Sequence, residues 1–486
     1  MLILSILFLN RTLRLIIILL KLTMANTSKI DNNLFKVPLS TGFRRFFYFV
    51  KPEESSFDSP ENVPSYINEA LPFFFVLIIT ENIINWYKDK KMMRLNDAMS
   101  SISAGIISQL PLLFGRSIEV VVFCYVHKHY KIAELNWNSP ITWWIGFLGV
   151  DLGYYCLHRA GHEINLFWAA HQVHHSSQDY NLSTALRQSI FQRYCSWMFY
   201  APLALFLPPQ VYMVHVQFNL LYQYWIHTEL IDTLGPLEWI MNTPSHHRVH
   251  HGRNPYCIDK NYAGTLIIWD RLFGTFQAEE REVSYGLVHP LQTWNPFNVQ
   301  LCHFKWIWLR FNQEKTILDK LSTIFKGPGW HKGTPRLGKH EELPEVEYPV
   351  KLYDNHLPYW YNIYVFAHFL ILIVAYTELV QFKTIMTSYQ ITLAILFILY
   401  SLTTFGALND KKIYGCYMES VRLLIFMALY FYFDPEKKFP SKHYFYNGIK
   451  VFSTFSFCLF TLIANRQYTT GINYCHEITQ KTKKLL

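Results

Sequence analysis

Apolar residues in this chain come in long unbroken runs separated by polar stretches. Runs over 71–86, 102–126, 141–157, 190–207, 211–226, 360–380, 391–408, 421–433 and 451–464 predict helices that cross a bilayer or come close to it; a helical span needs roughly 20 mostly apolar residues. Some runs fall short of that length. The two flanking Pro208 and Pro209 read as a helical hairpin that turns back within the membrane and returns to its starting face. About seven to nine crossings are expected, and the fold class is all-α: a polytopic integral membrane helical bundle with a cytoplasmic histidine-rich di-metal site.

The division expected along the chain is an extension or signal-anchor-like segment (1–33), N-terminal spans (34–138), a catalytic region (139–290), a cytoplasmic connector (291–357), C-terminal spans (358–466) and a tail (467–486). The opening stretch from Met1 to Met24 mixes Leu and Ile with Arg11, Arg14 and Lys21, and reads either as a signal anchor or as a dispensable upstream piece. Lys88, Lys90, Lys91 and Arg94 follow the first firm span, and Lys411 and Lys412 follow the seventh run. Positive charge marks loops that stay on the cytoplasmic side. Counting from those loops puts the region from His158 to about Tyr353, and the C-terminus, in the cytoplasm. The chain ends Lys483-Lys484-Leu485-Leu486, similar to a dilysine retrieval signal of the endoplasmic reticulum.

Composition narrows the classes. Of 486 residues, 51% are apolar and only 16% charged, against about a quarter charged in soluble domains. Mean hydropathy is only +0.08, so a sizeable part faces water. The net charge of +9 is spread over loops, whereas nucleic-acid binders gather basic residues in one stripe; no nucleic-acid partner is expected. The eight cysteines form no C-x-x-C pair and several lie inside apolar runs, so no disulfide framework is indicated.

Candidate chemistry lies in the histidines. Of 21, 11 fall between His158 and His251. His158 and His162 form H-x-x-x-H; His171, His174 and His175 form H-x-x-H-H; His247, His250 and His251 repeat it. Helix residues three and four apart share a face, so each box aims imidazoles at one side. Ser139-Pro140 and Thr243-Pro244 are helix-opening pairs, and Gly252 stands where a helix C-cap is expected. Gln223 and His227 add a fourth face. Nine imidazoles, with Gln223 as a further donor, exceed one ion's coordination and fit two metals with positions left open; zinc and iron both accept imidazole. His215 reads as a packing residue within a span, and His246 as an alternative to His247. Glu163, Asp179 and Glu229 stand beside box residues and are candidates to orient imidazoles, Glu163 and Asp179 as catalytic-site carboxylates. His289 is a further cofactor-site candidate.

These runs resemble the membrane fatty acid hydroxylase and sterol desaturase superfamily, which is defined by such triple histidine boxes. The longer stretches HRAGHE (158–163), WAAHQVHH (168–175), DYNLSTALRQ (179–188), NTPSHHRVHHGRN (242–254) and DKNYAGTLIIWDR (259–271) are similar to its alkylglycerol monooxygenase family. The resemblance implies an endoplasmic reticulum membrane enzyme with two irons per site, using O2 and tetrahydrobiopterin to hydroxylate the ether-linked carbon of alkylglycerol lipids. Arg187, Arg248 and Arg253 then become candidates to meet a lipid headgroup or the pterin. The alternatives are a sterol or fatty acyl hydroxylase or desaturase of the same superfamily, which would carry the same boxes, and a non-enzymatic metal-binding or transport protein. The boxes' predicted place at span ends, away from the midplane where transport sites lie, argues against the last.

Overall fold

The computed structural model describes residues 37–115, 117–433 and 443–485, with side chains up to 465. The stretch from Met1 to Met24 and Leu486 lie outside the described residues, as do the side chains of Lys483 and Lys484. The described residues are almost entirely helical, with two isolated β-bridges and no strand among them. They fall into two compact units, one of 39–411 and one including 412–433 and 443–485.

In the larger unit, α1 (Leu39–Phe46), α2 (Tyr66–Tyr87), α3 (Leu95–Gln109) and α4 (Ile118–Tyr130) precede the histidine region. That region holds α5 (Pro140–Glu163), α6 (Asn165–His175), α7 (Gln192–Tyr200), α8 (Pro209–Trp225), α9 (Pro244–His251) and α10 (Ile268–Phe273). Then come α11 (Pro296–Gln313), α12 (Ile317–Phe325), α13 (Tyr359–Phe382) and α14 (Ser388–Asn409). The smaller unit pairs α15 (Gly415–Phe433) with α16 (His443–Leu485).

By length and composition, four helical stretches among the described residues can cross a membrane: Tyr66–Tyr87, Tyr359–Ile385, Ser388–Asn409 and His443–Asn465. The bent pair Leu95–Leu113 and Ile118–Tyr130 makes a fifth if it is one span. This is fewer than the seven to nine expected, and polar side chains account for much of the difference. α5 carries Asp151 and the first histidine box; α8 carries Gln210, His215, Gln217, Asn219 and Gln223; α7 is only 9 residues long; α15 carries the buried pair Glu419 and Arg422. α8 in particular is buried along most of its length and belongs to the protein interior.

α5 begins at the expected Ser139-Pro140 and α9 at Thr243-Pro244, proline filling a first-turn position that needs no N–H. Gly252 does follow α9, but with an extended backbone (φ −71°) instead of a left-handed one. Its requirement is room: a Cβ there would lie 2.6 Å from Cys257 Sγ and 2.8 Å from Val283 Cγ1, inside the small cluster of Val249, Cys257 and Val283. Gly252→Ala should therefore overpack this cluster at a cost of about 1–3 kcal/mol, seen as a lower thermal unfolding midpoint in detergent; an unchanged midpoint would remove the steric argument.

The segment read as a connector is partly structural. α11 packs on α6, where Gln172 donates to the Val299 carbonyl at 3.0 Å. Ile164, one extended residue, separates α5 from α6. The next residue is tied down: Asn165 donates from its backbone to Lys326 O and from its side chain to Thr323 O, both at 2.7 Å, and His303 lies 2.6 Å from its Oδ1. This elbow folds the second histidine box back over the first.

Two buried aspartates, Asp151 and Asp270, fix the 259–271 loop beside the boxes. Asp151 on α5 accepts from Asn219 of α8 (2.7 Å), the backbone of Thr265 (2.8 Å) and Leu266 (3.0 Å), and the Trp269 indole (2.9 Å). Asp270 accepts from the backbone of Tyr262 and Ala263, both at 2.8 Å, and from Thr275 Oγ1 at 2.6 Å.

Candidate metal centre

The boxes converge, but not one box to one side. His158, His162, His171, His175 and His250 form one buried group, and His174, His227, His247 and His251 a second; within each, one ring nitrogen per residue lies within 4.8 Å of all the others. The i, i+4 pairs stay together, whereas His174 and His250 each cross to the group opposite their box-mates. Adjacent helix residues point about 100° apart, so α6 and α9 each reach both groups.

The hydrogen bonds of the rings say what the groups can hold. His158 Nδ1 lies 2.7 Å from Tyr262 O, His174 Nδ1 3.0 Å from Arg187 O, His227 Nδ1 2.7 Å from Gln223 O and His250 Nδ1 2.9 Å from Lys260 O. A carbonyl can only accept, so these Nδ1 atoms carry the hydrogen and the Nε2 atoms of the neutral rings are bare lone pairs. Yet His174 Nε2 and His227 Nε2 stand 3.1 Å apart. Two facing lone pairs repel unless a cation sits with them. His227 Nε2 is also 3.1 Å from His247 Nε2 and 3.2 Å from His251 Nε2, while His171 Nε2 is 2.9 Å from His158 Nε2 and 3.1 Å from His175 Nε2. Metal–nitrogen bonds of about 2.1 Å at right angles put neighbouring donors about 3 Å apart. The buried Nε2 atoms of His162 and His250 have no hydrogen-bond partner at all.

Burial pushes the His174 ring down to about 4 and His250 to about 3, and holds the other seven well below the ordinary imidazole value, helped by their neighbours' mutual repulsion. The rings are thus held neutral, the form that ligates.

The other expected residues stand as follows. Gln223 takes part through its backbone carbonyl, while its side-chain amide donates to Asn219. Glu163 pairs with Arg159 (2.7 Å) and Arg336 (2.9 Å); Asp179 pairs with Lys91 (2.8 Å) and Arg94 (3.0 Å). Neither makes a hydrogen bond to an imidazole. Arg187 is a buried strut, donating to Val173 O, Ser176, Ser101 and Asp97, and it meets the site through the carbonyl that receives His174. Arg248 is taken up by Glu279 and three backbone carbonyls. Arg253 donates its backbone N–H to Ser284 O, and its Nε is without a partner. His289 is exposed and outside both groups. His246 packs against Phe276, leaving His247 in the second group, and His215 lies 2.9 Å from the Tyr48 hydroxyl, in the packing role expected of it.

Sequence reading missed Asp259, whose Oδ1 is 3.5 Å from His162 Nδ1, and Tyr180, whose ring lies 5.6 Å from His227 and 5.3 Å from His251. Both fall inside quoted motifs, which was the available signal. Asp151 was missed as well, although a lone carboxylate in an apolar run is itself the signal of a special residue.

A helical membrane chain with two buried all-imidazole groups is built as a membrane oxygenase of the fatty acid hydroxylase class, and residues 143–275 match the family model "Fatty acid hydroxylase". Residues 361–448 match "Alkylglycerol monooxygenase C-terminal domain". The chain is 48% identical to alkylglycerol monooxygenase of Xenopus tropicalis over 93% of its own length and 98% of that protein's. It is 52% identical to the Homo sapiens enzyme of that name (81% and 89% covered) and 36% identical to the Caenorhabditis elegans one (82% and 83%). The chain belongs to the alkylglycerol monooxygenase family. No solved structure matches it significantly.

Proposed function

We propose that this chain hydroxylates the ether-linked carbon of alkylglycerols and their lyso lipid relatives, with His158, His162, His171, His175 and His250 holding one iron and His174, His227, His247 and His251 the other. The observation that carries this reading is the pair of facing lone pairs on His174 and His227, which calls for a cation between two rings locked by backbone carbonyls. Bound there, the irons would activate O2, with tetrahydrobiopterin supplying the two electrons and two protons that turn its second oxygen atom into water. The protein's own part is positional. Four carbonyls fix the ring tautomers, and burial of all nine rings keeps water out. On the side of His158 and His171 the centre is closely packed by Tyr154, Leu157, Phe167, Ala170 and Cys195, which leave a cleft of only about 10 Å3 beside the two rings. Hydroxylation beside the ether oxygen leaves a hemiacetal; its hydroxyl proton passes to the ether oxygen as the C–O bond breaks, giving a fatty aldehyde and a free glycerol hydroxyl.

Placement of the histidine groups on the cytoplasmic side of the membrane is supported by Lys88, Lys90 and Lys91 after α2, and the endoplasmic reticulum is the membrane expected of this family. Membranes carrying the protein should release fatty aldehyde from an alkylglycerol only when tetrahydrobiopterin is added. Turnover indifferent to the pterin and driven by cytochrome b5 would assign the chain to sterol or acyl hydroxylation instead.

A further inference from the structure

The chemistry above makes no use of a cavity of about 470 Å3 beside the second imidazole group, a size within the usual range for small-molecule sites, about 300–1,000 Å3. It is lined by Glu81 and Asn85 of α2 and the 90–93 segment that follows it, by residues 179–181, by Arg248, and by parts of 229–232 and 279–285. An aromatic ladder joins it to the metal centre. Tyr285 stacks on Tyr180 (centroids 4.8 Å apart, planes at 16°), and Tyr180 stacks on His227 (5.6 Å, 28°). Tyr180 is pinned by a 2.9 Å hydrogen bond from its hydroxyl to Ile226 O, next to His227. At the outer end the Tyr285 hydroxyl donates to Glu229 Oε1 at 3.0 Å.

The lining discriminates between ligands. Six carboxylates face three cationic side chains, and two of those cations, Lys91 and Arg248, are already paired with Asp179 and Glu279. A phosphate or other anion is disfavoured there, and so is an alkyl chain. A flat, neutral ligand rich in N–H donors fits: an aromatic face takes a flat ring, and two adjacent N–H groups match a carboxylate's two oxygens as a guanidinium does.

We propose that this cavity binds the reduced pterin, its ring against the outer face of Tyr285 and its amino-pyrimidinone edge, with adjacent N–H donors, on the carboxylate of Glu229. This rests on the pterin-dependent reading above and adds a place to it: the reductant sits at the outer end of the ladder that runs through Tyr285 and Tyr180 to His227.

The test is anaerobic equilibrium dialysis of tetrahydrobiopterin against the full-length metal-loaded protein in nanodiscs, with metal content measured in parallel. Glu229 is exposed, so Glu229→Gln should fold and keep its metal. It and Tyr285→Leu are each expected to weaken pterin binding at least about tenfold, the scale of a lost charge-assisted hydrogen bond, with the alkylglycerol KM unchanged at saturating pterin. Unchanged pterin binding in both variants overturns the assignment. So does a raised alkylglycerol KM with pterin binding intact, which would make the cavity a glycerol headgroup site. If the unsubstituted protein binds no pterin and turns over without it, the functional reading itself falls, a result distinct from failure of the cavity alone.

Discussion

Replacing His174 by alanine and replacing its neighbour His175 by alanine should each abolish turnover, yet strip metal from different positions. The two residues are consecutive on α6 but belong to opposite groups, so each substitution leaves one imidazole set whole. The same holds for His250 and His251 on α9. Single alanine variants at any of the nine rings should remain in the membrane, because each removes at most one of the four ring-to-carbonyl bonds and the buried aspartates still hold the helices. Metal analysis should show loss centred on one position, and the aldehyde assay no product. A variant that keeps full activity would take that residue out of the ligand set. If His174→Ala and His175→Ala behave identically toward spectroscopic probes of the two positions, the division into two groups fails.

Asp151→Ala should be the most damaging change away from the rings. It would strip four hydrogen bonds from one carboxylate and leave the Thr265 and Leu266 amides and the Trp269 indole unpartnered in the interior. Hydrogen bonds to a charged group contribute about 1.5–3 kcal/mol each, and a domain's whole stability is about 5–15 kcal/mol, so little folded protein should accumulate. The loop that would lose its anchor carries Lys260 and Tyr262, whose carbonyls hold His250 and His158. Whatever folds should therefore bind metal poorly, while Asp151→Asn, which keeps part of the network, should be intermediate. Thermal unfolding in detergent with parallel metal analysis reads both effects; a normal midpoint and full metal content in Asp151→Ala would refute the anchoring role.

The histidine boxes were legible because their i, i+3 and i, i+4 spacings are local consequences of helix geometry. Even His227 was legible, through its offset from Gln223. The partition was not: it depends on how far α6 and α9 rotate relative to α5 and α8, which only tertiary packing decides. The carbonyls of Tyr262, Arg187, Gln223 and Lys260 were equally hidden, since a main-chain acceptor leaves no signature in residue type. Glu163 and Asp179 stood out as carboxylates beside imidazoles, but Arg336 and Arg94, distant in sequence, reach them in the folded chain. Fewer of the described helices are long and apolar enough to span than the apolar runs suggested; a run such as 211–226 buries against protein, and hydrophobicity alone does not tell protein interior from lipid.

Neither imidazole group contains a carboxylate, and Asp259, 3.5 Å from His162, is set behind a ring. Nine uncharged donors leave whatever cations they hold with their full positive charge, in surroundings where water screens little. With metals held there, the positions left open between the rings would favour small anions over neutral ligands, whatever the charge of the neighbouring cavity.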